Sequence, residues 1–354
     1  MRIPRIPQIL AAVAALSLLV AACGDGEDTA ASGDLPTVVV TTNILGDVVT
    51  QLTGGAVEVV TIMPVGADPH DFQASAQQAD AMRTADVLVI NGESFEEGLL
   101  DVIEGAEADG VAIYAATSAV SSIEFGEGGH DHDSHDDHGD EDKDHDDHEG
   151  EEGHEDHEGE EDHDDHDDHE GHGHSGADPH FFTDPVRMGD AVDGIAAFLI
   201  ANVEGIDADA VTASAEAYHD ELEALDAEIA ALVDGIPAEN RVLITNHEVF
   251  GYFADRYGFE IAGAIIPGGS TLDGTSAGDL AELAELITAE GVPAIFADVS
   301  ASDQLAQTLA NEVGGDIAVV ELFTESLGDA DSEGSTYIDM VRTNATRIAE
   351  ALAS

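Results

Sequence analysis

The run PTVVVTTNILGDVVTQLTGGAVEVVTIMPVGADP, residues 36–69, sets the pattern that the rest of the chain repeats. After its leading proline, 36–42 is wholly β-branched and reads as a strand. Residues 44–52 carry apolar side chains at helical spacing, and 57–63 return to a β-rich run that ends in the Pro- and Gly-containing turn 64–69. Further on, 74–84 reads as a helix, while DVLVIN (86–91) and GVAIYA (110–115) are continuous apolar strands. Continuous apolar strands separated by helices indicate a parallel sheet covered on both faces.

A helical pattern at 185–203 leads to a longer one at 207–233, which contains neither Gly nor Pro and is rich in Ala, Leu and Glu. At 1.5 Å per residue it reaches about 40 Å, enough to run from one domain to another. Its end is marked by Gly235-Ile236-Pro237. Strand patterns then recur at 241–245, 259–266, 294–299 and 317–323, alternating with helical patterns at 248–257, 276–290, 303–313 and 332–353. The expected fold class is α/β: two (β/α) parallel-sheet domains, 36–203 and 237–354, joined by a linking helix within 204–236. The C-terminal ends of the two sheets then face a cleft, where α/β proteins bind their ligands.

Between 126 and 176 the first domain is interrupted. This stretch holds thirteen histidines and 25 Asp and Glu against one Lys, with almost nothing apolar, so it has no means to offset the entropy of ordering its backbone. It reads as a disordered insertion, too long for an ordinary connection. The whole chain has nine Lys and Arg against 77 Asp and Glu, a formal net charge of −68. Nucleic acid and anionic lipid headgroups are poor partners for such a surface, and cations are good ones. Acidity also suits a high-salt habitat, so the histidine density, rather than the acid, points to metal.

At the N-terminus, Arg2 and Arg5 precede the short apolar run 9–20, and Val20-Ala21-Ala22 precedes Cys23, the chain's one cysteine. This resembles a bacterial lipoprotein signal peptide over 1–22, with a lipid thioether on Cys23 and a flexible tether over 23–35; the alternative is an uncleaved anchor helix. Either reading exports the body of the protein. A lipidated Cys23 leaves no thiol for a disulfide, a cysteine zinc site or a nucleophile.

Four histidines lie outside the tract. His219, mid-helix beside Asp220 and Glu221, reads as a solvated helix residue. His70 and His180 each close an Asp-Pro-His tripeptide, in which proline fixes the backbone and aspartate can orient the imidazole. Either alone would suit a turn histidine. The pair, with His247 at the end of a strand in Thr245-Asn246-His247, makes a stronger case for metal, because Zn²⁺ takes about four N, O or S ligands and imidazole is the best donor left. Three imidazoles leave one position for a carboxylate or a water.

The stretches MPVGADPHDFQ (63–73), NGESFE (91–96), ADPHFFTDP (177–185), ITNHEVFGYFADRYGFE (244–260), PAIFADVS (293–300) and ELFTES (321–326) resemble the solute-binding lipoproteins of zinc and manganese ABC importers, nearest to the zinc-uptake type. The resemblance implies two domains bridged by a long rigid helix, with the metal buried between them. It puts His70, His180 and His247 on ligand positions and Glu325 on the fourth, where the family has Asp or Glu; the longer Glu325 either ligates or leaves room for water. Manganese and iron members carry glutamate at the position of His247, so this chain favours Zn²⁺. The chain is therefore expected to be a monomeric extracytoplasmic zinc receptor, not an enzyme. It would be anchored to the membrane through Cys23 and would deliver its ion to an ABC permease, with the histidine tract gathering zinc rather than serving as a spacer. The alternatives are a manganese or iron receptor, a zinc hydrolase with Asp178, Glu248 or Glu325 as base, and a surface adhesin. Neither HExxH, Gly-x-Ser-x-Gly nor a phosphate-binding glycine loop supports the hydrolase.

Overall fold

The computed structural model describes residues 35–125, 176–314 and 317–353. The expectations for the signal peptide, Cys23, the tether up to residue 34 and the acidic histidine tract lie outside the described residues. In the first half run β1 (Thr37–Val40), α1 (Asn43–Thr53), β2 (Glu58–Thr61), α2 (Ala76–Arg83), β3 (Val87–Ile90), α3 (Leu100–Asp109) and β4 (Ala112–Ala115). Two helices come next, α4 (Pro185–Asn202) and α5 (Ala208–Val233). The second half contains β5 (Val242–Thr245), α6 (Gly251–Tyr257), β6 (Glu260–Ala264), α7 (Ala277–Glu290), β7 (Ala294–Asp298), α8 (Gln304–Val313), β8 (Ala318–Leu322) and α9 (Tyr337–Leu352).

The fold is the expected two-part α/β arrangement with parallel strands. The first sheet has the order β2-β1-β3-β4, every pair parallel. Alternation along its central strands separates two cores: Val38, Val40, Val87 and Val89 face one side, and Val39 and Leu88 the other. The second half sorts the same way, with Leu243, Ala294 and Phe296 on one side and Ile244, Ile295 and Ala297 on the other. Its strands form two parallel pairs, β5-β6 and β7-β8, rather than one continuous ladder, although β5 lies beside β7. A register shift between Leu243 and Ile244 accompanies this break, as expected where a bulge adds local twist.

Helix α5 buries Val211, Ala215, Tyr218, Leu222, Leu225, Ile229 and Val233, one stripe at spacings of three or four residues. That stripe packs against α1 and α4 from the first half and α9 from the second, so a single apolar cluster extends from Val38 to Leu352 through both halves. Sequence patterning missed α3, which buries only Ile103 and Ala106 and so shows little amphipathic signal. The closing helix begins at Tyr337 rather than 332, because the Thr336 side chain accepts the Asp339 N–H and caps it there. Similarly, α6 starts at Gly251, leaving 247–250 as the loop that carries His247.

Tyr337 ties the end of the chain to the first half. It is fully buried, its hydroxyl donates to the Phe182 carbonyl at 2.8 Å, and its N–H donates to Asp47 Oδ2 at 2.8 Å. Tyr337→Phe removes the first of these bonds without changing the packing, and is expected to cost about 1 kcal/mol, read as a lower urea midpoint at constant m value.

Candidate metal centre

His247 and Glu325 closely follow the C-terminal ends of parallel strands, and His70 and His180 lie on longer segments that come after such strands. His70 comes after β2, His180 after β4 and the insertion, His247 after β5 and Glu325 after β8. The structure brings the four together: each offers a ligand atom within 4.8 Å of every other, and each is at least 98% buried. Glu325 Oε1 occupies the middle, 2.8 Å from His70 Nε2, 3.2 Å from His180 Nε2 and 3.2 Å from His247 Nε2. Three imidazole nitrogens and a carboxylate oxygen pointing at one small volume match the donors that a tetrahedral Zn²⁺ takes. His247 Nε2 and Nδ1 and Glu325 Oε2 are buried without a hydrogen-bond partner, so the cluster has electron pairs that the protein itself leaves unused.

The Asp-Pro-His tripeptide folds alike in its two copies. Asp68 Oδ1 accepts the His70 N–H, and Asp178 Oδ1 accepts the His180 N–H, both at 2.9 Å. Their second tasks differ. Asp178 Oδ1 also meets His180 Nδ1 at 2.7 Å, as the sequence suggests, whereas Asp68 Oδ2 accepts the Thr271 hydroxyl from the second half at 2.6 Å. His70 Nδ1 turns instead to Glu97 Oε1 at 3.0 Å. A carboxylate on Nδ1 holds the proton there and leaves Nε2 to donate its lone pair, so two of the three imidazoles are set in the ligating tautomer. Sequence reasoning missed Glu97; its one signal is that it directly follows the NGESFE motif.

Within that motif, Glu96 has a structural task. Its Oε1 accepts the Thr41 hydroxyl and the Asn91 N–H, each at 2.6 Å, and burial raises its pKa. The Asn91 side chain in turn donates to the Pro179 carbonyl at 2.9 Å, fixing the backbone just before His180. Apolar rings close the site: Phe95 is edge-on to His70 and His180 at 5.4 and 5.5 Å, and Phe182 lies 5.9 Å from His180. His219 is apart from this cluster, on α5, with Nδ1 3.7 Å from Glu223 and its ring over Gly189.

The electrostatics are set by burial. For His180, burial opposes the charged ring, but Asp178 and Glu325 outweigh it and raise its pKa to about 9. His70 is also raised, burial again being overcome by Glu325. Glu325 would be raised by its own burial, yet the imidazoles of His247 and His70 and the hydrogen bond from His180 hold it well below the usual range. Asp298, at the end of β7, is raised by burial and by the charge of Glu325. His70 and His180 therefore hold protons more tightly than a free imidazole, and a cation bound at their Nε2 atoms would displace those protons.

The chain matches the family described as "ZnuA: Zinc-uptake complex component A periplasmic" over residues 38–351. It is 28% identical over 333 residues to the zinc-binding protein TroA of Treponema pallidum, covering 93% of this chain and 92% of the relative. It is 26% identical over 332 residues to the manganese-binding lipoprotein MntA of Halalkalibacterium halodurans, covering 93% of each. The solved structure of the T. pallidum periplasmic zinc-binding protein superimposes with a TM-score of 0.73 at 27% identity, over 90% of this chain and all of that one.

Titration of the cluster leaves a signature in stability. His180, raised from 6.5 to about 9 on folding, contributes stability that is fully present below 6.5 and is lost as pH rises through about 9. Glu325, depressed on folding, contributes stability that is present above 4.5 and is lost as pH falls through its lower folded value. Urea midpoints of the chelator-treated protein should therefore fall between pH 6.5 and 9, and His180→Gln should flatten that decline.

Proposed function

The chain belongs to the family of the zinc-uptake complex component A, metal-binding receptors of ABC importers, and on that premise we propose that it is an extracytoplasmic receptor for Zn²⁺ with His70, His180, His247 and Glu325 as ligands. Relatives named for zinc and for manganese both match it, so the choice of metal rests on the residues themselves. The observation that carries the proposal is the convergence of three buried imidazole Nε2 atoms on one buried carboxylate oxygen. Manganese prefers oxygen-rich sets, and a nitrogen-rich set of four favours zinc. In this reading the ion is cargo. It is captured as protons leave His70 and His180, carried as a monomeric complex tethered through a lipid on Cys23, and released to the permease. No helix among the described residues is long and apolar enough to cross a membrane.

The acidic histidine tract gathers zinc for this site. Support comes from where it is rooted: Glu124 and Ala177 pair in an antiparallel bridge, and the Asp178 N–H donates to the Ile123 carbonyl at 2.8 Å. The tract thus departs and returns one residue short of Asp178, which holds His180 Nδ1. Histidines at spacings of two and three residues supply many weak, interchangeable zinc contacts, whereas the buried cluster supplies one organised site.

The test is a chelator-competition titration of metal-stripped protein beginning at residue 24, beside a deletion of 126–174 and His70→Ala. One tight zinc site should survive the deletion, with several weak ones lost, and should weaken at least a hundredfold in His70→Ala. Tight binding that leaves with the tract and ignores His70 would defeat the proposal. His247→Glu should narrow the preference for Zn²⁺ over Mn²⁺, measured as the ratio of dissociation constants; an unchanged ratio would remove the argument for zinc.

A further inference from the structure

Glu325 is reached from the second half of the chain, yet the residues just after it are held by the first. Asn43 opens α1, where the Thr42 side chain caps the helix by accepting the Leu45 N–H. Its side-chain amide reaches across to the Glu325 loop: Nδ2 donates to Ser326 Oγ at 2.9 Å, and Oδ1 accepts the Leu327 N–H at 2.7 Å. The same Nδ2 contacts the Pro64 carbonyl at 3.3 Å. Ser326, itself 1% exposed, completes the junction by accepting the Gly66 N–H at 2.8 Å and donating to the Leu327 carbonyl at 2.9 Å. Both lone pairs and the proton of that hydroxyl are thereby used, leaving it one arrangement only.

One amide thus joins two loops: residues 64–66, which lead to His70, and residues 326–327, which leave Glu325. A glutamate side chain has three rotatable bonds, and its carboxylate keeps to one point only if its backbone is fixed close by. Resting on the receptor reading above, we infer that Asn43 is a positioning residue that, through Ser326 and Leu327, holds the Glu325 carboxylate at the fourth ligand position and so keeps water out of it. Asn43 touches no ligand atom. Its effect passes through the backbone on either side of Ser326, which lies 283 residues from Asn43 in sequence.

The experiment uses the full chain from residue 24, with zinc affinity by chelator competition and one equivalent of Co²⁺ as a spectroscopic probe. Asn43→Ala and Ser326→Ala should each weaken zinc binding about tenfold, in the range found when a partner of a ligand is removed. The visible Co²⁺ bands should lose intensity as more than one water enters in place of the carboxylate and the coordination number rises above four. In a Glu325→Gln background, adding Asn43→Ala should change affinity less than about twofold, because the group it positions is already altered. The inference is overturned if Asn43→Ala leaves affinity and spectrum unchanged, or if it costs the same factor with and without Glu325. Ser326→Ala, which keeps the Asn43 bond to Leu327, serves should Asn43→Ala not fold. Failure of the receptor reading has a separate mark, since the unsubstituted chain and His70→Ala would then bind zinc alike, and that result would overturn both.

Discussion

A carboxylate with 2% exposure and no fixed cation beside it costs several kcal/mol unless positive charge comes to it, and the centre of this protein is organised around that demand. Glu325 obtains the charge from three imidazoles at 2.8 to 3.2 Å. His180 and His70 hold protons more tightly than a free imidazole, and in the receptor reading proposed above a cation takes the place of those protons. Asp178 and Glu97 then set how readily each ring accepts either partner, by taking the Nδ1 of His180 and of His70. In that reading, capture is an exchange of one kind of positive charge for another in a pocket bordered by apolar rings.

The parallel strands explain why these groups meet. The segments that follow β2, β4, β5 and β8 come from four separated stretches of chain, and the packed faces of the sheets leave the C-terminal end of the strands as the place where loops can converge. The repeated Asp-Pro-His shows how one local solution serves two places. The backbone turn is the same in both copies, but the spare aspartate oxygen serves the imidazole in one and bridges to Thr271 in the other. A short motif encodes the turn, and its surroundings decide the use.

Much of this was readable in the residues. Val38–Val40 and Val87–Val89 announce strands buried on both faces, and the unbroken helical composition of α5 announces the connector. His70, His180 and His247 stand out because histidine is scarce outside the tract and because each comes after a strand or a fixed turn. Glu325 does not stand out, since one glutamate among 77 acidic residues carries no local signal, and only the likeness to a known family singled it out. Glu97 and α3 were hidden for a related reason: one more acidic side chain in so acidic a chain carries no signal, and α3 buries too few apolar residues to show a helical stripe. The junction at Asn43 was illegible because its meaning depends on a partner near the other end of the chain.

The apolar cluster that continues from Val38 to Leu352 has a mechanical consequence. Two lobes with separate cores can swing apart as jaws do, at little cost beyond their rim contacts. Here the linking helix is embedded in a common interior, and any wide separation must wet it. Exposing about 200 Å² of apolar surface costs about 5 kcal/mol, which makes such an open form rarer than the closed one by three to four orders of magnitude. The two halves are thus held stiffly together, and in the receptor reading proposed above a wide opening would need work supplied from outside the molecule.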